Sequence, residues 1–263
     1  MAFGYTVLYL GLIALLPLAA LGLKASELGI GGIFALAAEP RVSAALMTSF
    51  SLSLAAALLN LVFGLLVAWV LVRYRFAGSR ILDAVVDLPF ALPTAVAGIA
   101  LAALYAPNGW LGSLFAPLGV KIAYTPLGIF IALVFIGLPF VVRTVQPVLA
   151  DFERELEEAS ATLGATRLQT VVRVVLPPLL PAVLTGFAMA FARAVGEYGS
   201  VIFIAGNIPF VSEIAPLLIV TRLEEYDYAA ATAIAAIMLG TSFLILLAIN
   251  GIQAWSRRKL GHE

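Results

Sequence analysis

The sequence contains no cysteine and a single histidine, His262, next to its last residue. Disulfides, thiol chemistry and cysteine-based zinc sites are therefore excluded, and a histidine-centred catalytic or metal site has almost nothing to build on. Charge is scarce as well. Only 11% of residues are charged, against about 25% in soluble domains. Fifteen basic residues balance fifteen acidic ones, so no overall field draws the chain to nucleic acid. GxxxxGK[ST] occurs nowhere in the sequence, so the chain lacks that phosphate-cradling loop and is not expected to hydrolyse ATP or to be an enzyme in its own right.

Apolar residues are abundant. They make up 63% of the chain, and the mean hydropathy is +1.09, more than a water-soluble core can hide. Stretches of roughly 18 or more apolar residues, the length that crosses a hydrocarbon core, recur near residues 5–23, 46–72, 84–106, 125–147, 179–204 and 229–254. The first has no Lys or Arg before it and no clean small-residue cleavage site after it, so it reads as a mature helix and not as a secretory signal. Pro40 fits the first turn of the second span, and Thr125 followed by Pro126 predicts an N-cap with proline at N1 for the fourth. Pro89 and Pro93 predict kinks in the third. No internal repeat is visible. The expectation is an all-α integral membrane protein of about six transmembrane helices, folded as a single membrane domain over 1–263.

Basic residues set the orientation. Arg73, Arg75 and Arg80 fall between spans two and three. Arg143, Arg154, Arg167 and Arg173 fall between four and five, and Arg257, Arg258 and Lys259 follow the last span. The alternate loops hold only Lys24, Arg41, Lys121 and Arg222, with the acidic run Glu224, Glu225 and Asp227. Both termini are thus expected on the cytoplasmic side.

The segment 151–178, DFERELEEASATLGATRLQTVVRVVLPP, concentrates acidic residues in one of those cytoplasmic loops. Phe152, Leu156, Ala159 and Leu163 recur at helical spacing behind an acidic, dipole-favoured N-terminal end. Gly164 should break that helix. Thr166 with Gln169 three residues on predicts a capping box for a second helix carrying Leu168, Val171, Val172 and Val175, which Pro177 and Pro178 should interrupt. From the residues alone, this bent element is either a solvated or interfacial connector or a docking knob.

The loop resembles the signature of importer-type ABC permeases: Glu-Ala-Ala, three residues, Gly, nine residues, then an aliphatic residue, any residue and Leu-Pro. Here it reads Glu158, Ala159, Ser160, then Gly164, then Val174, Leu176 and Pro177, with serine in place of the second alanine. From about residue 40 to the end the chain is similar to the binding-protein-dependent sulfate/thiosulfate permeases of that family. The likeness lies in DLPFALPTAVAGIALAALY (87–105), GEYGSVIFIAGNIPF (196–210), SEIAPLLI (212–219) and EEYDYAAATAIA (224–235). Molybdate permeases are similar at the Gly196-to-Gly199 and Gly206-to-Pro209 positions, while the Tyr226-Asp227-Tyr228-Ala229 run tilts the resemblance toward sulfate. The resemblance implies a subunit of the bacterial inner membrane that translocates sulfate or thiosulfate by alternating access. Its implied partners are a second homologous permease, two cytoplasmic ATPase subunits and a periplasmic sulfate-binding protein. ATP and Mg would be used by the ATPases, with no cofactor on this chain. Molybdate, tungstate or another oxyanion is the alternative cargo, and an autonomous secondary transporter is a further alternative class.

A divalent oxyanion needs compensating charge or dipoles to cross hydrocarbon. Arg193 and Glu197, four apart in the fifth span, are the clearest intramembrane ionisable residues. Either they neutralise each other as an i, i+4 pair, or Arg193 lines the pathway with Glu197 holding it. Gly196 and Gly199, around Glu197 and Tyr198, either break the helix at a cavity or allow close packing. Asp83 and Asp87 receive no binding role, because carboxylates repel sulfate.

Overall fold

Pro40 begins the helix around which the others are arranged. The fold, obtained as a computed structural model, describes residues 2–259, with side chains from 4 to 251. The side chains of Arg257, Arg258 and Lys259, and His262, lie outside the described residues. In chain order, leaving aside the short turns Gly112–Phe115 and Ala116–Leu118, the helices are α1 (Gly4–Ser26), α2 (Gly29–Ala37), α3 (Pro40–Arg73), α4 (Ser79–Val86), α5 (Leu88–Ala91) and α6 (Thr94–Tyr105). They continue with α7 (Pro126–Asp151), α8 (Arg154–Thr162), α9 (Arg167–Val195), α10 (Val201–Ile204), α11 (Ala215–Glu224) and α12 (Tyr228–Lys259). No strand occurs among the described residues.

Glu39 is extended and Pro40 occupies N1 of α3, where its missing N–H is harmless. At 34 residues, α3 is about 51 Å long and outreaches the hydrocarbon core. Its buried stripe is made of small residues at three- and four-residue spacing: Ala45, Ser49, Ser53, Ala56, Asn60, Gly64 and Ala68. Small side chains let neighbouring helices approach closely, and α7 and α9 pack against this stripe and each other. A Cβ on Gly64 would come within 2.7 Å of Val141 Cβ on α7. One apolar cluster, around Val141, Val145, Leu149, Leu179, Val183 and Phe191, fills the end of this trio nearer α8. A second, with Ile129, Leu133, Ala194, Val201, Ile204 and Ile214, fills the other end. Helix α12 leans on α9 and α11, and α1 lies outermost against α12.

Among the described residues, five helices are long and apolar enough to cross a membrane: α1, α3, α7, α9 and the 228–251 part of α12. The third expected span is divided. Leu92 is extended (ψ 134°) and Pro93 caps α6, because a residue before proline is pushed out of the helical region. Pro93 therefore ends one helix and starts another where a kink was expected, and α6, with 12 residues, spans only about 18 Å. The fifth span differs in the opposite sense. Pro177 and Pro178 do not interrupt α9, which runs unbroken from Arg167 to Val195. A π turn at Val171–Val175 widens the helix just before the prolines and accommodates them. Thr125 holds the N-cap position of α7 with Pro126 at N1, yet its hydroxyl donates to the Ile122 carbonyl at 2.7 Å and does not cap the helix.

Candidate coupling and translocation sites

Only Phe152 and Glu153, both extended, join α7 to α8. Glu155 and Glu157 lie in the first turn of α8, where the helix dipole favours them. The helix ends at Gly164, whose φ of +85° is a left-handed conformation that glycine adopts without a Cβ penalty. The N–H groups of Leu163, Gly164 and Ala165 donate back to the Ala159, Ala161 and Ser160 carbonyls at 3.0–3.2 Å. The expected capping box is present: Thr166 N–H donates to Gln169 Oε1 at 2.8 Å, and Gln169 N–H donates to Thr166 Oγ1 at 3.4 Å. Across the turn, Ser160 Oγ and Thr170 Oγ1 are 2.7 Å apart and hydrogen-bonded.

The signature residues divide between two surroundings. Glu158, Ala159 and Gly164 are exposed and Ser160 is half-buried, whereas Val174, Leu176 and Pro177 lie half-buried within α9. The hairpin also exposes Leu163 at 88% and Leu168 at 74%. These are the leucines that the spacing had placed on apolar faces, and here they form an apolar tip beside the acidic α8 surface.

At the other end of α9, Arg193 forms an ion pair with Glu197. The Glu197 carboxylate is buried, and its Oε1 accepts from the Ser200 N–H at 2.8 Å and the Ser200 hydroxyl at 2.9 Å. Glu197 therefore ties the end of α9 to the start of α10, and the chain between them is not helical. Gly196 is exposed at that break, with no atom closer than 3.9 Å to where a Cβ would stand. Gly199 is different: a Cβ there would overlap Thr94 Oγ1 on α6, so the backbone is closely packed at that point. Tyr198 is half-buried against the Ile129 and Leu133 cluster. The arrangement thus brings Arg193, Glu197 and the Gly196 break together, and leaves the Arg193 side chain 34% exposed.

Among the described residues, four further ionic clusters join segments distant in the sequence. On the hairpin side, Arg143 of α7 clamps Asp87 with two bonds (2.7 and 2.6 Å), reaches Asp83 Oδ1 at 2.7 Å and bonds Gln146 at 2.6 Å. Asp83 and Asp87 are thereby satisfied. The hydrogen bond from Arg143 holds the Asp83 carboxyl below the usual carboxylate range. Arg73 of α3 pairs with Glu157 of α8 at 2.6 Å. At the opposite end, Arg41 makes two bonds to buried Glu213 (2.9 and 2.7 Å), and Arg222 joins Glu39 and Glu225. Partners this far apart in the chain leave no local spacing signal. Among the described residues, no three histidines or carboxylates converge as metal ligands.

Five apolar helices long enough to span a bilayer, with a shorter one split off at a proline, define a polytopic membrane protein. The chain belongs to the family described as the binding-protein-dependent transport system inner membrane component, which matches residues 60–262. It is 56% identical to the sulfate transport system permease protein CysT of Synechocystis sp. over 253 residues, covering 96% of this chain and 88% of the relative. It is 49% identical to the CysT of Salmonella typhimurium over 263 residues, covering 100% and 95% of the two chains. Among solved structures, the fold is similar to a bacterial ABC transporter for alginate, in complex with a pentasaccharide-bound periplasmic protein. The TM-score is 0.79 at 16% identity, covering 99% of this chain and 94% of that one. It is also similar to the inward-facing MetNI methionine ABC transporter, with a TM-score of 0.61 at 18% identity over 81% of this chain and 94% of that one.

Proposed function

We propose that this chain is the membrane-spanning permease subunit of an ATP-driven importer that carries sulfate or thiosulfate across the bacterial inner membrane by alternating access. The α8 hairpin is its cytoplasmic socket for an ATPase pair. A second homologous permease completes the pathway, and a periplasmic binding protein delivers the anion. ATP and Mg are used by the ATPases. The observation that carries this reading is the continuity of α9. A single 29-residue helix, about 43 Å long, begins in the hairpin at Arg167 and holds Arg193 in its last turn. A push on the hairpin is delivered along a rigid rod to the ionic pair at the far end, as alternation by rigid elements requires.

Arg193 supplies the positive potential for the anion in this mechanism. A guanidinium has five N–H donors, and the contact to Glu197 engages Nη1. Glu197 keeps Arg193 in place while Ser200 anchors the carboxylate. The Gly196 break, followed by Tyr198 and Gly199, forms the wall beside it. The names of the relatives favour sulfate over molybdate or tungstate as cargo.

Radiolabelled sulfate uptake by the reconstituted complex tests the proposal, with molybdate as competitor. Arg193→Ala should abolish uptake and Arg193→Lys should reduce it. Normal uptake by both variants at normal expression would remove Arg193 from the pathway. Uptake by this chain alone, without nucleotide, would replace the reading by an autonomous transporter.

A further inference from the structure

We infer that Arg73 is the positioning residue that fixes the angle of α8 against the bundle, so that movement of the hairpin reaches α3 directly as well as through α9. The inference rests on the coupling role assigned to α8 above. A nine-residue helix joined to α7 by two extended residues, and to α9 by a glycine turn, has hinges at both ends. It packs against the start of α9, to which Ser160 and Thr170 also tie it. On the side of α3 there is a cleft of about 340 Å³, lined by Trp69, Glu157, Glu158, Ala161, Arg167 and Thr170.

Arg73, the last residue of α3, bridges that gap. Its Nη2 is 2.6 Å from Glu157 Oε1 and donates to the Phe152 carbonyl at 3.4 Å. The guanidinium carbon lies 5.8 Å from the Trp69 ring centre and 6.0 Å from that of Phe152. One side chain therefore contacts the last turn of α3, the neck before α8 and α8 itself, while remaining only 8% exposed. Among the described residues this is the only ion pair joining α8 to another helix. A planar guanidinium can lie against rings while its charge sits beside a carboxylate, whereas an ammonium is a point charge and does not stack in that way. Since α3 packs along both α7 and α9, a strut from α8 to α3 engages the whole central trio in any hairpin displacement. Without it, the Phe152–Glu153 neck absorbs part of the stroke.

Two measurements test this. In the reconstituted complex with its ATPase, permease and binding-protein partners, Arg73→Ala should leave assembly and ATP hydrolysis within about twofold of the parent. Anion uptake should fall about tenfold, the size of an ordinary coupling energy between linked sites. Arg73→Lys should lie between, and Glu157→Gln, which removes the partner charge, should lower uptake as Arg73→Ala does. Hydrolysis and uptake falling in parallel, neither changing, or normal uptake in Glu157→Gln would overturn the proposal. The second measurement needs no ATPase. The natural chain has no cysteine, so nitroxides at Leu163→Cys and Phe63→Cys report the distance from hairpin to α3 in the purified permease. Arg73→Ala should broaden that distribution, and an unchanged width would refute the strut. A parent complex that shows no ATP-linked uptake would end the transport reading, while the spin-label width would still decide what Arg73 does.

Discussion

Ser160 and Thr170 face each other across the Gly164 turn, 2.7 Å apart. Ser160 Oγ also donates to the Glu157 carbonyl at 2.8 Å, which leaves Thr170 as the donor of the pair. The serine that replaces the signature's second alanine is thus a clamp between α8 and α9. Ser160→Ala should cost about 1 kcal/mol, the net value of a neutral hydrogen bond, and Thr170→Val should cost a similar amount. The double variant should cost less than the sum, because both changes remove the same bond. Thermal unfolding of the detergent-solubilised protein measures all three, and full additivity would show that the hydroxyls do not cooperate.

Two glycines near the break after α9 should respond in opposite ways. A Cβ on Gly98 of α6 would fall 2.7 Å from the Ser200 Cα, a backbone atom that cannot rotate aside. Gly98→Ala should therefore destabilise the fold by about 2–3 kcal/mol, as overpacking does. A Cβ on Gly196 has nothing closer than 3.9 Å, and its φ of −86° is open to any residue, so Gly196→Ala should stay within about 0.5 kcal/mol. Size-exclusion profiles and melting temperatures of the two variants check the contrast. A pathway role for Gly196 would then appear as lost uptake in a stably folded protein.

The hairpin was legible in the sequence because its determinants are local. Gly164, the Thr166–Gln169 box and the apolar spacing of α8 each act over no more than four residues at a time. Proline effects were half legible: Pro93 and Pro177 announce a disturbance, but the local sequence does not say whether a helix will break, as at Leu92, or widen through a π turn, as at Val171. The ionic clusters were not legible. Arg73 counted only as an orientation charge, since its partner Glu157 lies on a different helix, and Arg143 gave no hint of Asp83 or Asp87. Arg193 and Glu197 stood out because a four-residue spacing makes them neighbours on a helix. The anchoring of Glu197 by Ser200 required knowing that the helix stops between them.

Acid should loosen the junction of α4 with α7. The Asp83 carboxyl is held below its ordinary value of 3.8, chiefly by its hydrogen bond from Arg143. A carboxylate whose folded pKa is depressed contributes stability that is fully present above the ordinary range. That contribution declines as pH falls through 3.8 toward the lowered value, where the folded protein also takes up the proton. Asp83→Asn removes the contribution at every pH. The difference in melting temperature between parent and Asp83→Asn should thus be greatest near neutrality and shrink below about pH 4, near the ordinary carboxylate range. A difference independent of pH would mean that the lost contact is not the ionised one.

Arg41 and Glu213 pose the question of what a buried ion pair contributes. Glu213 is 2% exposed, and both its oxygens are taken by Arg41. The pair pins the segment before α11, in which Asn207 and Phe210 adopt left-handed backbone, to the first turn of α3. Arg41→Ala leaves a carboxylate buried without its cation and should cost about 3–5 kcal/mol, the usual penalty for breaking such a pair from one side. Replacing both residues by leucine removes the charge together with its partner and should cost much less, since desolvation of the pair offsets most of its attraction. Unfolding curves for Arg41→Ala and for the double leucine variant decide the matter. If the double variant proves as unstable as the single, the pair is a net source of stability, and the segment before α11 is held by charge more than by its apolar contacts.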